Sequence, residues 1–413
     1  MTMTPQQQFP KSVFLNPRTA PHIVTLIMLS GIAALAMNLF LPSMPAMAAH
    51  FDVEYSVIQL AVSAYLGLTG LLQLFIGPLA DRYGRRPVLL VGTAVFTIAS
   101  IGCIFAPNAT VFLAFRFLQA VIATALVLSR AIIRDMVSAE EAASMIGYVT
   151  TFMALMPMLG PVAGGFLDQA FGWQSNFVAL AVAGCVLFLI VALDLMETNP
   201  PKAGGFREQI RSYPDLLTSR RFWGYCATAA FASGCFFVFI GGGPYVASEV
   251  LGMEPRETGL AFGIISAGYM CGNYLTGRFA RRAGLHRMMF VGTSMTAIGM
   301  GLSLGLVLSG FVSAIAIFGP IFFVGFGNGL TLPSANSGML SVKPELAGTA
   351  SGLGGAMMIG GGAVLSGATG AFLGEGSTAL PLILMMLATA LASVLATLYT
   401  HRIEKQVAAA VPS

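Results

Sequence analysis

Residues 77–87 read Gly-Pro-Leu-Ala-Asp-Arg-Tyr-Gly-Arg-Arg-Pro, a short charged stretch between two long apolar segments. The same pattern returns 200 residues later, where residues 277–284 read Gly-Arg-Phe-Ala-Arg-Arg-Ala-Gly. Each copy follows the second long apolar segment of its part of the chain, and its glycines permit a tight turn. The repeat therefore predicts two structurally related halves.

Outside these stretches the chain is strongly apolar. Of its 413 residues, 56% are hydrophobic and only 9% are charged, whereas soluble domains carry about 25% charged residues. A helix needs about 20 apolar residues to cross a bilayer, and segments of this kind recur without the polar stripes of a soluble helix. They predict an all-α integral membrane protein with twelve transmembrane helices, near residues 22–46, 56–78, 87–106, 110–133, 143–166, 174–196, 222–246, 257–279, 287–309, 311–333, 347–372 and 379–400.

One long polar connection, residues 197–221, divides these spans six and six. We expect two pseudo-symmetric six-helix bundles, residues 22–196 and 222–400, with tails at 1–21 and 401–413. Basic loops stay in the cytoplasm during insertion, and 19 of the 21 Lys and Arg residues lie in the tails and in the connections on one side. We therefore expect the connection and both termini to be cytoplasmic.

The chain shows no pattern typical of an enzyme or a metal site. Its five cysteines lie inside apolar segments without paired spacing, and no nucleophile has an evident neighbouring base. The glycine runs at 241–243 and 360–362 lack the Lys-Ser/Thr of a phosphate loop. We expect no enzymatic activity, metal, cofactor or nucleic-acid partner.

Residues 77–87 resemble the loop signature of the major facilitator superfamily, G-x-L-a-D-r-x-G-r-r. The resemblance implies a cytoplasmic gate in which Asp81 accepts hydrogen bonds from arginines or from a helix N-terminus when that side closes. The alternative is a plain basic loop with a capping Asp. In the second copy Arg281 replaces the acid, which weakens any latch there. The implied gate residues are Gly77, Asp81, Arg82, Gly84, Arg85, Arg86, Arg134 and Asp135.

Further motifs narrow this resemblance to the drug:proton antiporters. Residues 116–120, Arg-Phe-Leu-Gln-Ala, resemble R-x-x-Q-G with alanine in place of glycine, and residues 160–165 resemble G-P-x-x-G-G. With Leu-Pro-Ser-Met-Pro at 41–45 and Ser-Arg-Ala-Ile-Ile-Arg-Asp at 129–135, the chain is similar to the bicyclomycin and chloramphenicol resistance branch. This implies the major facilitator fold around a central cavity, and a monomer that exports small amphipathic compounds across the bacterial inner membrane in exchange for protons.

Arg116 is the only basic residue that the pattern places inside a span and away from the charge clusters that close the spans. Burying an arginine at the centre of a lone helix costs about 2.5–3.5 kcal/mol, so it should face a wet cavity or a partner, unless it extends to the interface. In the cavity it could bind a polar substrate group or hold a proton site in register. The expected cavity residues are Arg116, Gln119, Asn38 and Tyr65, with Met153, Met156 and Phe236 on an apolar wall.

The motif of the fifth span combines small residues with helix-breaking ones. Glycines allow two helix backbones to approach closely, and prolines remove hydrogen bonds from the helix. Both a bending helix between the halves and simple tight packing fit this composition. The residues concerned are Pro157, Gly160, Pro161, Gly164 and Gly165.

A proton-coupled antiporter is expected to hold a titratable group within the bundle. The resemblance places an Asp just before the L-P-x-x-P segment, where this chain has Asn38. The other acids are expected in loops or at span ends. Three explanations stay open: coupling through Asp81 or Asp135, a charged substrate that supplies the coupling, or transport without protons.

Three functions are compatible with these features. We expect an alternating-access exporter of toxic compounds, most simply a proton antiporter. A carrier dedicated to one metabolite, with or without proton coupling, is the alternative. A receptor or scaffold would normally add a soluble domain or long tail, which the pattern does not show.

Overall fold

The computed structural model describes residues 12–137, 139–199, 216–343, 347–374 and 376–410. Its regular structure within these residues is helical throughout. The long helices are α1 (Ile23–Phe51), α2 (Tyr55–Tyr83), α3 (Arg85–Ile104), α4 (Ala109–Met136), α5 (Ala139–Phe171), α6 (Gln174–Asp194), α7 (Arg220–Val250), α8 (Pro255–Ala283), α9 (Leu285–Leu308), α10 (Ala314–Ser341), α11 (Ala347–Ala371) and α12 (Leu380–Ala410).

These twelve helices correspond one for one to the predicted spans. Among the described residues, nine are long and apolar enough to cross a membrane. Helices α5, α8 and α11 pack against helices of the opposite half.

The repeated motif lies at the end of a helix and not in a loop. Helices α2 and α8 continue through it to Tyr83 and Ala283, and each ends at a glycine with positive φ. Gly84 has φ 95° and ψ 156°, and Gly284 has φ 81° and ψ 154°. Only glycine adopts this region readily, so the two halves share the same sharp turn.

Three interruptions bend helices where they line the interior. α1 leaves helical geometry after Asn38 and passes through a 3₁₀ turn, Leu41–Ser43, which carries Pro42. α4 tightens into a 3₁₀ turn at Gln119–Ile122. α10 is interrupted between Phe318 and Ile321.

Contacts between the halves run along two helix pairs. α2 packs along α11, and α5 packs along α8. We call the end that carries Arg82, Arg85, Arg86 and Arg134 the basic end. The other end, with the α1–α2 and α7–α8 turns, is called the closed end because the halves touch there.

The predicted tails and connection are only partly within the described residues. Residues 1–11, 200–215 and 411–413 lie outside them. The expected boundary at residue 400 is not a helix end, since α12 continues to Ala410. Glu404 accepts hydrogen bonds from Arg221 and Tyr225, both at 2.9 Å, which fixes the end of α12 against α7.

Candidate functional site

A cavity of about 250 Å³ lies between the two halves, at mid-height. Its wall is mostly apolar, and none of the described residues that line it is charged. The lining comes from both halves: Ala33, Ala34, Met37, Asn38, Tyr65, Leu66, Thr69, Ile122, Ala123, Leu126, Met153 and Pro157 from one, and Ser233, Phe236, Phe237, Ile265, Ser266, Tyr269, Gly325, Asn328, Leu332, Met358 and Ile359 from the other. Such a wall suits a largely apolar ligand with a few polar groups.

Two of the four expected cavity residues lie on this wall. Asn38 is 2% exposed and donates to the Ala34 carbonyl at 2.7 Å, beside the break in α1. The Tyr65 ring also lines the cavity, as do Met153 and Phe236. Met156 does not; its side chain packs near Gly31 instead. Sequence patterns did not point to the polar groups of the second half, chiefly Ser266, Tyr269 and Asn328.

Arg116 and Gln119 lie behind the wall, contrary to expectation. Arg116 is fully buried; its guanidinium carbon is 3.8 Å from the centroid of the Tyr65 ring and 4.5 Å from that of Phe40. Its Nε donates to the Ala61 carbonyl at 3.0 Å and Nη1 to Gln119 Oε1 at 2.8 Å. The side chain neither reaches the cavity nor extends to the membrane surface.

Gln119 extends this buried network by one step. Its Nε2 donates to Ser100 Oγ at 2.7 Å, so α2, α3 and α4 are joined by hydrogen bonds around Arg116. Among the described contacts of Arg116 there is no carboxylate. Its charge is instead stabilised by oxygen acceptors and by the faces of two aromatic rings. A desolvated cation–π contact contributes about 2 kcal/mol or more.

At the basic end, four of the eight expected gate residues come together. Arg85 Nη1 lies 2.8 Å from Asp81 Oδ1, and Arg85 Nε lies 3.2 Å from Asp135 Oδ2. Arg86 donates to the Ala192 carbonyl at 3.0 Å. This cluster ties α2, α3, α4 and α6 within one half.

The remaining gate residues take other positions. Gly84 forms the turn between α2 and α3. Arg82 lies over the neighbouring Tyr83 ring, and Arg134 is exposed. Gly77 lies inside α2 with no atom within 4 Å of its missing Cβ.

Glu197 is a member of this cluster that the sequence did not reveal. Its carboxylate accepts from the backbone N–H groups of Arg85 at 2.8 Å and Arg86 at 3.1 Å, and so caps the N-terminus of α3. A carboxylate stabilises the positive end of a helix. Thr198 bonds to Asp135 and Asn199 to Asp81, which attaches the start of the connection to the gate.

At the closed end, polar contacts cross between the halves. Tyr55 donates to the Gly241 carbonyl at 2.8 Å, and Gln169 donates to Glu254 at 2.7 Å. Toward the basic end the halves separate. α2 still contacts α11 where Gln73 meets Gly355, but nearer the basic end no atom lies within 4 Å of a Cβ added at Gly352.

The residues of the α5 motif lie at this interface. Gly160 and Gly164 face the α1 break, where an added Cβ would lie 3.1 Å from Asn38 Cβ and 2.8 Å from the Leu39 carbonyl carbon, respectively. On the other side, a Cβ on Gly165 would lie 3.0 Å from the Pro255 carbonyl carbon. Pro161 packs against Gly259, and Pro157 lines the cavity. Tight packing of α5 between α1 and α8 is thus observed.

Two helical bundles that enclose a cavity at their interface, closed at one end, are the architecture of an alternating-access membrane transporter. The chain belongs to the Major Facilitator Superfamily, whose family model matches residues 26–366. This confirms the expected superfamily and the expected all-α, two-bundle fold class.

Individual relatives agree with this assignment. The chain is 35% identical over 261 residues to the uncharacterized MFS-type transporter YdgK of Bacillus subtilis, a match that covers 61% of this chain and 64% of the relative, just under two thirds of its length. It is 29% identical to the chloramphenicol resistance protein of Pseudomonas aeruginosa, covering 77% and 76% of the two chains. It is 27% identical to the bicyclomycin resistance protein homolog of Haemophilus influenzae, covering 91% and 94%.

These relatives confirm the expected branch. Among solved structures, the fold is similar to a bacterial homolog of the human lysosomal transporter Spinster in an inward-facing, unoccupied conformation. That similarity has a TM-score of 0.69 at 16% identity and covers 92% of this chain and 95% of the other.

Proposed function

We propose that this transporter exports small, drug-like compounds across the bacterial inner membrane, in exchange for protons. The cavity carries the proposal: it is apolar, holds dispersed polar groups from both halves and contains no fixed charge. Such a wall can bind chemically different compounds by apolar contact. The relatives named for chloramphenicol and bicyclomycin resistance support export of this class of compound.

The basic end is proposed to face the cytoplasm, with both termini on that side. The distribution of Lys and Arg supports this orientation, because basic loops are retained in the cytoplasm. The cavity then opens inward, and the state described is the one that loads substrate from the cytoplasm or the inner leaflet. A single chain contains the whole cavity, which supports a monomeric unit.

Export then requires the closed end to open and the basic end to close. The contacts between α5 and α8 at the closed end must separate, while α2 and α11 close together near Gly77 and Gly352. Both glycines have room for this approach. Asp81 and Arg85 are placed to act as the gate during this step, although their present contacts stay within one half.

Everted membrane vesicles test the proposal directly. We expect them to accumulate radiolabelled chloramphenicol when respiration acidifies the lumen, and to lose it when nigericin collapses the pH gradient. Vesicles without the protein provide the control. Equal accumulation with and without the gradient would disprove proton coupling. No transport across a panel of unrelated drugs, together with uptake of one metabolite, would favour a dedicated carrier.

A further inference from the structure

Two aspartates among the described residues are buried inside the protein, and they differ in their partners. Asp194 is fully buried and accepts hydrogen bonds from Leu15 N at 2.7 Å, His22 N at 2.9 Å and Thr25 Oγ1 at 2.6 Å. These three hydrogen bonds fix the N-terminal segment against α6.

Asp168 is 8% exposed and lacks such donors. Its Oδ2 is buried without a hydrogen-bond partner, and among the described residues the Ser43 hydroxyl is the polar group that neighbours the carboxylate. Ser43 in turn accepts from Asn176 Nδ2 at 2.8 Å, and Asn176 Oδ1 is a second buried oxygen without a partner. The site thus has more acceptors than donors. A proton on Asp168 would supply a hydroxyl donor and remove an uncompensated buried charge.

No described ion pair holds Asp168 in its charged form. The charged and titratable groups on neighbouring elements are otherwise engaged: Glu254 accepts from Gln169, Arg256 lies over the Phe166 ring, and His50 packs against Trp173. Asp81 and Asp135, the other candidates for a proton, are held by Arg85 at the basic end.

The position of Asp168 connects it to the cavity. Gly160, Gly164 and Asp168 are spaced by four residues, so they lie on one face of α5, and this face follows the α1 break from Asn38 to Ser43. At 1.5 Å per residue, Asp168 lies about 12 Å along α5 from the level of Asn38. Pro161 and Gly165, which meet α8, lie on the adjoining side of α5, so separation of α5 from α8 would open Asp168 to the solvent beyond.

We propose that Asp168 is the proton-binding site that this transporter uses in place of the acid missing at Asn38. This inference rests on the proposed proton-coupled export. Asp168 takes up a proton from the external side when α5 and α8 separate. It releases this proton through the cavity to the cytoplasm when substrate binds against Asn38 in the inward-open state. The inward-open state described here is the proton-loaded one. Substrate binding against Asn38 and proton binding on Asp168 oppose each other through the α1 break, and by linkage each weakens the other equally.

The first test needs no substrate. Infrared difference spectra of the purified full chain, recorded between acidic and alkaline pH, should contain the carbonyl band of a protonated carboxylic acid, and Asp168→Asn should lose it. Glu249→Gln, an exposed acid at the same end, is the matched control and should keep it. An unchanged band in Asp168→Asn would overturn the assignment.

Ser43→Ala provides a second variant that leaves the carboxyl in place. The hydroxyl of Ser43 stabilises the charged carboxylate, so its removal should move the midpoint of this band's titration to higher pH. A purely structural Asp168 would show no such shift, and an unchanged midpoint would count against the proposal even if Asp168→Asn failed to fold.

Transport in proteoliposomes separates this inference from the proposed function. With chloramphenicol as the probe, Asp168→Asn should retain exchange of labelled for unlabelled compound but lose accumulation driven by a pH gradient, at least about tenfold. Full gradient-driven accumulation in Asp168→Asn would refute Asp168 as the proton site and leave the proposed function standing. A wild-type protein that moves none of the compounds tested would refute the proposed function, while the infrared result would still decide the proton site.

Discussion

The Tyr65 ring separates the Arg116 guanidinium from the cavity: its centroid lies 3.8 Å from the guanidinium carbon, and the same side chain lines the cavity wall. The buried charge is therefore close to any bound compound without touching it. In a low-dielectric interior such a charge acts over several ångströms.

Arg116→Lys should lower both stability and transport. The flat guanidinium bonds to Ala61 and Gln119 while lying against Tyr65, and a lysine ammonium cannot make these contacts together. The loss of one charged hydrogen bond is expected to cost about 1.5–3 kcal/mol. Thermal unfolding in detergent and chloramphenicol efflux measure the two effects. Arg287→Lys, at an exposed site, is the control; a Tm equal to wild type in Arg116→Lys would contradict the described network.

The cavity should favour uncharged compounds over lipophilic cations. No acid lines it, and Arg116 repels positive charge through the Tyr65 ring. Asn38→Asp should therefore increase tetraphenylphosphonium efflux by about tenfold, equivalent to about 1.4 kcal/mol. Efflux from energised cells measures this change.

Asn328→Asp adds the same charge on the opposite wall and is the matched variant. If both variants gain cation export, the effect comes from the net charge of the cavity. If only Asn38→Asp gains it, the effect depends on the position of the charge. If wild type already exports the cation as well as chloramphenicol, the expected charge preference is wrong.

Gly84→Ala should destabilise the protein more than Gly284→Ala. Both positions have positive φ, and a side chain there costs about 1–3 kcal/mol in strain. Only at Gly84 would the new Cβ also meet the Glu197 carboxyl, whose carbon would be 2.9 Å away, whereas the site at Gly284 is open. Thermal unfolding of the two single variants separates strain from steric overlap. Equal loss of stability would show that Glu197 moves aside freely.

A cross-link at the closed end should arrest transport. The side chains of Gln169 and Glu254 meet between α5 and α8, and these helices must part for the cavity to open on that side. The double variant Gln169→Cys and Glu254→Cys, once oxidised, should lose efflux and regain it after reduction. Each single variant, treated with oxidant, serves as the control. Full efflux by the cross-linked chain would show that substrate leaves without opening this interface.

Hydropathy and charge were sufficient to predict the twelve helices, because a bilayer requires long apolar segments regardless of their partners. The same pattern placed Arg116 inside a helix but could not say what surrounds it, since Tyr65 and Phe40 reach it from other helices. Glu197 was missed because its partners lie 111 and 112 residues earlier in the chain.

Asp168 shows how a helix boundary can change a conclusion. The predicted fifth span ended at residue 166, which left Asp168 among the loop acids. In the structure α5 continues to Phe171 and ends before Gly172, whose φ is 81°. A glycine after the last helical turn is a common stop signal, and here it keeps the acid within the helix and against α1.

The attachment of Glu197, Thr198 and Asn199 to the basic-end cluster bears on the mechanics of the whole chain. These three residues move with the first bundle, although they begin the connection to the second. The first bundle therefore includes residues up to Asn199, three residues beyond its predicted boundary at 196. When one bundle rotates against the other, these residues and the turn between α2 and α3 move together as one rigid unit.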